Sequence, residues 1–158
     1  MRKKVLLTLS LIIGLPLLAL VGLSIISHYT SPELGLVDGK LRACPDSPNC
    51  VCSEAYSGAD AAHHTPPVKL NGNNMEAPWQ LLRQAVIDQG GQIIREDDTY
   101  LHAEFTSPIF RFVDDLELRM DRQNEVIHLR SASRVGRSDL GANRKRIEAI
   151  WHSLGDAD

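Results

Sequence analysis

The chain has 158 residues, the length of one ordinary domain, with a formal net charge of −3 and aromatic residues at 5%. Its first 28 residues hold Arg2, Lys3 and Lys4 and no acid, so residues 29–158 carry −6. That acidic balance and the scarcity of rings exclude a broad nucleic-acid surface, which needs a basic face or a stacking platform. No Gly-rich phosphate loop, HExxH or GxSxG motif occurs.

Residues 5–26, VLLTLSLIIGLPLLALVGLSII, run for 22 positions without a charge. As a helix they reach about 33 Å, enough to cross a hydrocarbon core of about 30 Å. The run is longer than the roughly 7–15 apolar residues of a cleaved signal peptide, and no small-x-small site follows it. An uncleaved anchor over residues 1–27 is therefore expected. A signal peptide is the alternative, since Gly14 and Pro16 can kink or shorten the helix. Basic residues precede the segment and none follow at once, which places the N-terminus in the cytoplasm and the rest beyond the membrane. Cys44 lies well past residue 26 and behind Arg42, so it is not a lipidation site.

Residues 28–43, with Pro32, Gly35 and Gly39, read as a tether to a domain over residues 44–158. The stretch CPDSPNCVCS then holds all three cysteines, Cys44, Cys50 and Cys52. In an exported domain a disulfide is expected before a metal site. Cys44 with Cys50 would close a small loop worth about 2–2.5 kcal/mol. Cys52 would then remain as a buried thiol or an alternative partner. Zinc would need a further ligand such as His63 or His64, at a spacing that fits no standard site, so neither metal nor cofactor is expected.

Val68-Lys69-Leu70 reads as a short edge strand and Asn71-Gly72-Asn73-Asn74 as a turn. Pro78 suits a first helical position, Trp79, Leu82, Ala85 and Val86 form a stripe, and Gly90-Gly91 ends that helix. Four strands follow, over residues 92–95, 100–105, 112–120 and 125–134. Leu101, Ala103 and Phe105 share one inward face, as do Phe112, Leu116, Leu118 and Met120. A last helix starts near Ser138-Asp139, with Leu140, Ile147, Ile150, Trp151 and Leu154 as its stripe. The expected class is α+β: a two-layer domain with a four-stranded antiparallel sheet, two helices packed on one face and the other face polar, preceded by a transmembrane helix.

Two features break the pattern. Asp114 shares the apolar face of its strand, and Asn143 lies beside the apolar stripe of the last helix. A hairpin loop over 121–124 would set Leu118 opposite Ile127, Leu116 opposite Leu129, Asp115 opposite Arg130 and Asp114 opposite Ser131. Buried acids and amides need partners, and Ser131, Ser133 and Arg134 are at hand. Residues 130–146 also carry a local +5, against −8 over residues 29–129. One reading pairs Arg130 and Arg134 with Asp114 and Asp115 and leaves Arg144, Lys145 and Arg146 on a solvated face. The other builds an anion site from Arg130, Arg134, Arg137, Ser138, Asp139 and Asn143 at a helix N-terminus.

CPDSPNCV, FVDDLELRMD and LRSASRVGRSDLGANRKRIE, in that order, resemble the domain-of-unknown-function family 1499 over about residues 41–154. The resemblance implies an envelope protein, for a bacterium a single-pass protein of the inner membrane with its domain in the periplasm, and brings no established activity. The family has Ser where this chain has Cys52, which implies Cys44 and Cys50 as the disulfide. Its acidic pair falls on Asp114 and Asp115, and its last motif on Arg130 to Arg146.

Three functions follow as expectations. The first is a membrane-tethered domain binding a small anion or lipid head group. The second is a structural partner of another envelope protein. The third is a hydrolase using Asp114 or Asp115 as base or metal ligand and Arg134 on an oxyanion. It is weakened because strand neighbours face opposite ways and His102 and His128 read as isolated on exposed strand faces.

Overall fold

A computed structural model describes residues 2–30, 32–56, 60–70 and 75–155. Helix α1 (Arg2–Tyr29) continues through Pro16, and none of its most apolar 18-residue stretch is buried inside the molecule. Within the stretch expected as a tether, β1 (Leu36–Val37) and β2 (Lys40–Leu41) form an antiparallel hairpin turned at Asp38-Gly39, both with positive φ. Leu41 is fully buried, so this segment belongs to the folded unit.

The main sheet has six strands, not four. They are β3 (Cys50–Cys52), β4 (Val68–Lys69), β5 (Gln92–Glu96), β6 (Tyr100–Thr106), β7 (Val113–Asp121) and β8 (Val126–Ser133). The order is β3-β8-β7-β6-β5, with β4 also on β8 and every pair antiparallel. Strand β3 escaped the sequence reading because Cys50-Val51-Cys52 is short and follows a Pro-rich loop. Its partner residues Arg130–Ala132 lie far along the chain.

The β7–β8 register is also displaced from expectation. Leu118 faces Leu129, Leu116 faces Ser131, Glu117 faces Arg130, Asp115 faces Ala132 and Asp114 faces Ser133. The cause lies in the turn. Asp121 stays in the strand opposite Val126, and its carboxylate accepts the Asn124 backbone N–H and side-chain amide, both at 3.0 Å. Glu125 closes the loop at φ 53°. The turn therefore sits one residue later, every pairing slides by two, and each side chain keeps its face.

On one face Leu101, Ala103, Phe105, Leu116, Leu118, Met120, Ile127 and Leu129 meet both helices, α2 (Glu76–Asp88) and α3 (Ala142–Gly155), in one core. Helix α2 supplies Trp79, Leu82, Ala85 and Val86, and α3 supplies Ile147 and Ile150, with Trp151 partly buried. Pro78 sits in the first turn of α2 as its third residue rather than its first. Leu140 departs from its expected place: it precedes α3, with φ 55°, and is 89% exposed. Phe112 precedes β7 and is only half-buried. The Leu154 side chain and the turn expected at Asn71–Asn74 lie outside the described residues.

Candidate functional site

Side chains alternate across a strand, so β6, β7 and β8 also present Tyr100, His102, Glu104, Asp115, Glu117, Arg119, His128 and Arg130 on the second face. This face is polar, as expected, but it is not solvated. Asp115 and Glu117 are buried to 1% and 0% exposure; the segment carrying the β1–β2 hairpin, tied to Glu54 at Leu41, covers Glu117 through the Gly35 amide. His102 and His128, expected on exposed faces, are buried or nearly so. The covering segment has no hydrophobic periodicity, so the sequence gives no sign that it folds back here.

The buried charges are matched in sign. Arg134 grips Asp115 with two bonds, Nε–Oδ2 at 2.8 Å and Nη2–Oδ1 at 2.7 Å, and also donates to Glu104. His102 Nε2 lies 2.8 Å from Asp115 Oδ1. Burial works to raise the Asp115 carboxyl, but the bonds from Arg134 and His102 outweigh it and hold it below the usual range. Next along the face, Glu117 accepts from Tyr100 (2.7 Å), Arg130 (3.0 Å) and the Gly35 amide (2.7 Å). Burial and the Glu117 charge raise the Tyr100 phenol. Further on, Glu54 binds Arg119 at 2.7 Å and lies 3.6 Å from His128, whose imidazole is lowered chiefly by burial.

A second network lies at the edge of the core face. Arg146 binds Asp114 at 2.7 Å, stacks over Phe105 at 4.4 Å and donates to Ser131 and Asn143. Asn143, fully buried, meets Ser131 at 2.6 Å, Ser133 at 3.0 Å and the Asn49 carbonyl at 3.0 Å. Asp139 caps α3, accepting from the amides of Gly141 (3.0 Å) and Asn143 (2.8 Å).

The residues expected as one anion site are therefore dispersed. Arg130 and Arg134 lie on the second face against acids. Asn143 and Asp139 lie on the core side, where the Asp139 carboxylate already occupies the helix N-terminus. Ser138 accepts the Leu140 amide at 3.3 Å, and Arg137 is exposed without a side-chain partner among the described residues. Arg130 pairs with Glu117, and Asp114 with Arg146 rather than with Arg130 or Arg134. Arg146 belongs to this buried network and not to a solvated helix face. The residues missed from sequence are Glu54, Tyr100, Glu104, Glu117, Arg119 and Arg146. Charged positions of both signs recurring at period two on adjacent strands were the available signal.

His102, Glu104 and Asp115 offer ligand atoms within 4.8 Å of one another. Arg134 binds both carboxylates, so a fixed guanidinium stands where a cation would need to sit. The sulfurs of Cys44 and Cys50 are bonded in the structure, and Cys52 is a buried free thiol raised to about 11 by burial.

The chain thus joins an N-terminal helix long and apolar enough to cross a membrane to an α+β domain with an internally neutralised polar layer on its sheet. The chain belongs to the family described as protein of unknown function (DUF1499), whose model matches residues 40–154. A search of curated proteins finds no match.

Proposed function

We propose that this chain is a single-pass membrane protein whose domain stands on the exported side, in a bacterium the periplasmic face of the inner membrane, as a non-catalytic structural module. The carrying observation is the junction between α1 and the sheet. Ser27, fully buried, accepts the Val113 amide at 2.8 Å and donates to the Val113 carbonyl at 3.4 Å, while the apolar length of α1 before it is bare. The Cys44–Cys50 bond suits an oxidising compartment.

The arrangement argues against a hydrolase. Asp115 is spent on Arg134, and Asp114 on Arg146, on opposite faces. Ser53 lies 3.2 Å from His128 Nδ1, but Glu54 approaches the same ring nitrogen. A Ser–His–acid relay needs the two ring nitrogens to serve different partners. Ser53 is also buried and accepts the Leu129 amide at 2.8 Å.

Labelling of Asn124→Cys in intact cells with a membrane-impermeant maleimide tests the topology. The reading expects modification without lysis and retention of the chain in alkali-washed membranes. Labelling only after lysis refutes it.

A second reading, capture of a small anion, moves to a cleft of about 750 Å³ where Lys40, Arg42 and Arg130 gather beside Glu33 and Asp38. Calorimetry with inorganic phosphate on the full chain and on Lys40→Ala decides it: saturable binding lost in the variant supports the site, and no heat removes it.

A further inference from the structure

We propose that the end of the domain nearest α1 rests in the interfacial layer of the bilayer, with Ile109, Phe110 and Leu140 among the lipids and Arg111 and Arg137 on anionic phosphates. The inference rests on the reading of α1 as a membrane span. Antiparallel pairing fixes which loops share this end. Asp114 opposite Ser133 and Thr106 opposite Val113 bring the start of β7, the end of β8 and the end of β6 together. Residues 107–112 and 134–141 thus leave the sheet side by side, at the level where Ser27 holds Val113.

These two loops carry the two most exposed large apolar side chains of the described folded domain, Leu140 at 89% and Ile109 at 80%, with Phe110 at 38%. Leu140 also keeps φ 55°, a conformation that a branched side chain seldom adopts and that no buried contact of its own explains. Between them stand Arg111 and Arg137, both exposed and without side-chain partners among the described residues. The acids at this end are engaged, Asp114 by Arg146 and Asp139 by the amides of α3. The two arginines therefore set the sign of the surface. Apolar tips with a basic rim suit an anionic lipid surface.

A second observation fixes the depth. Leu20 and Leu23 of α1 line a cleft of about 250 Å³ together with Ser107, Phe112, Gly136 and Ser138. Leu20 lies about 10 Å before Ser27 along the helix axis. Both leucines fall inside the uncharged run of residues 5–26. The loops thus descend beside a part of α1 that must itself be at or below the head groups if the run crosses the bilayer. Tyr29, 85% exposed, sits just beyond, where an amphipathic ring favours the interface.

The test uses the full chain in a Cys52→Ser background, reconstituted in nanodiscs containing lipid with a nitroxide near the glycerol. An environment-sensitive fluorophore is placed on Ile109→Cys, Leu140→Cys, Leu11→Cys or Asn124→Cys. The expected result is quenching at positions 109 and 140 at least about half as strong as at position 11. Position 124 should stay unquenched, since its loop lies about 27 Å away along β7. Phosphatidylglycerol should strengthen the quenching over phosphatidylcholine alone, and Arg111→Gln with Arg137→Gln should abolish that gain. Quenching at 11 with 109 and 140 no different from 124 overturns the docking and leaves the patch to a protein. No quenching at 11 overturns the anchor itself, and the docking with it.

Discussion

Asp114 and Asp115 are neighbours in the chain and serve opposite faces of the sheet: Asp114 closes on Arg146 at 2.7 Å, and Asp115 closes on Arg134 at 2.7 and 2.8 Å. The acidic pair is thus two half-sites of two separate networks. The basic segment after β8 is divided in the same way, one guanidinium going to each side. What looks in sequence like a concentrated charge is, in space, three guanidiniums paired with acids (Arg130, Arg134 and Arg146), with Arg144 on backbone carbonyls and Arg137 and Lys145 exposed.

That division predicts unequal costs within one basic cluster. Arg134→Ala strands the buried Asp115 carboxylate and frees the partly exposed Glu104, and removing one member of a buried pair costs about 3–5 kcal/mol. Arg137→Ala touches nothing inside the domain and should stay within about 0.5 kcal/mol of the parent. Urea unfolding of the full chain in detergent measures both. Equal losses would mean that the Arg134 pairing is not a structural tie.

Much of the core face was legible in sequence, because Leu101, Ala103, Phe105, Leu116, Leu118, Ile127 and Leu129 alternate and the α2 stripe has helical spacing. The slide of the β7–β8 pairing was not legible, since a two-residue shift preserves the pattern of faces, and only the carboxylate turn of Asp121 decides it. The second face was misread as solvated because alternating charge normally marks water. Here each charge has a partner from another strand, from Arg134 or from Glu54, at sequence separations of 13 to 74 residues. Of the expected site residues, Arg130, Arg134, Asp114, Asp115, Ser131, Ser133, Asp139 and Asn143 all carry buried or capping bonds. The expected anion site joined Arg130 and Arg134 to Asp139 and Asn143 without regard to which face each occupies, whereas Asp114, Ser131 and Ser133 do meet in a polar network around Asn143 and Arg146.

Acid should unfold the protein in two stages. The folded His128 imidazole is held below its ordinary value of 6.5, chiefly by burial, so the unfolded chain binds the proton more readily. Its contribution is present above pH 6.5 and is lost as pH falls through the lower folded value. Asp121 has a folded carboxyl pKa of about 2 against 3.8, despite some burial, because Asn124 and Arg119 donate to it, and Asp115 is lowered likewise. Their contribution is present above the ordinary carboxylate range and disappears as pH drops towards 2. Thermal melts across pH should therefore fall first below 6.5 and again below 4. His128→Gln should remove only the first fall, and a parent curve flat between pH 7 and 5 would contradict the assignment.

Cys52 offers a probe of the cover over the second face. Its thiol is buried beneath Leu41 and beside Tyr100 and is raised to about 11 by burial, so it is both shielded and protonated at pH 8. Alkylation of the native chain at that pH should proceed only as fast as the segment around Leu41 opens. Leu41→Ala should accelerate it by well over about ten-fold while far-ultraviolet dichroism stays unchanged, since a buried Leu→Ala change costs about 2–5 kcal/mol. Rapid labelling of the parent would show that the hairpin does not cover the sheet.

Among the described glycines the tightest packing is at Gly91, where α2 turns into β5. A Cβ there would lie 2.7 Å from Phe105 Cζ and 2.8 Å from both Val86 Cγ1 and the Val86 carbonyl oxygen. The carbonyl is fixed, since it accepts the Gly91 amide at 2.9 Å. The Phe105 ring is also constrained, because Arg146 stacks on it while holding Asp114. Gly91→Ala should therefore cost about 1–3 kcal/mol through overpacking and disturb the Asp114–Arg146 pair. Gly90→Ala meets open space and bears only the cost of its positive φ, about 1–2 kcal/mol. A double-mutant cycle separates the two causes. Phe105→Leu, which removes the ring, should recover part of the Gly91→Ala loss and none of the Gly90→Ala loss, and recovery of both or of neither would place the strain elsewhere.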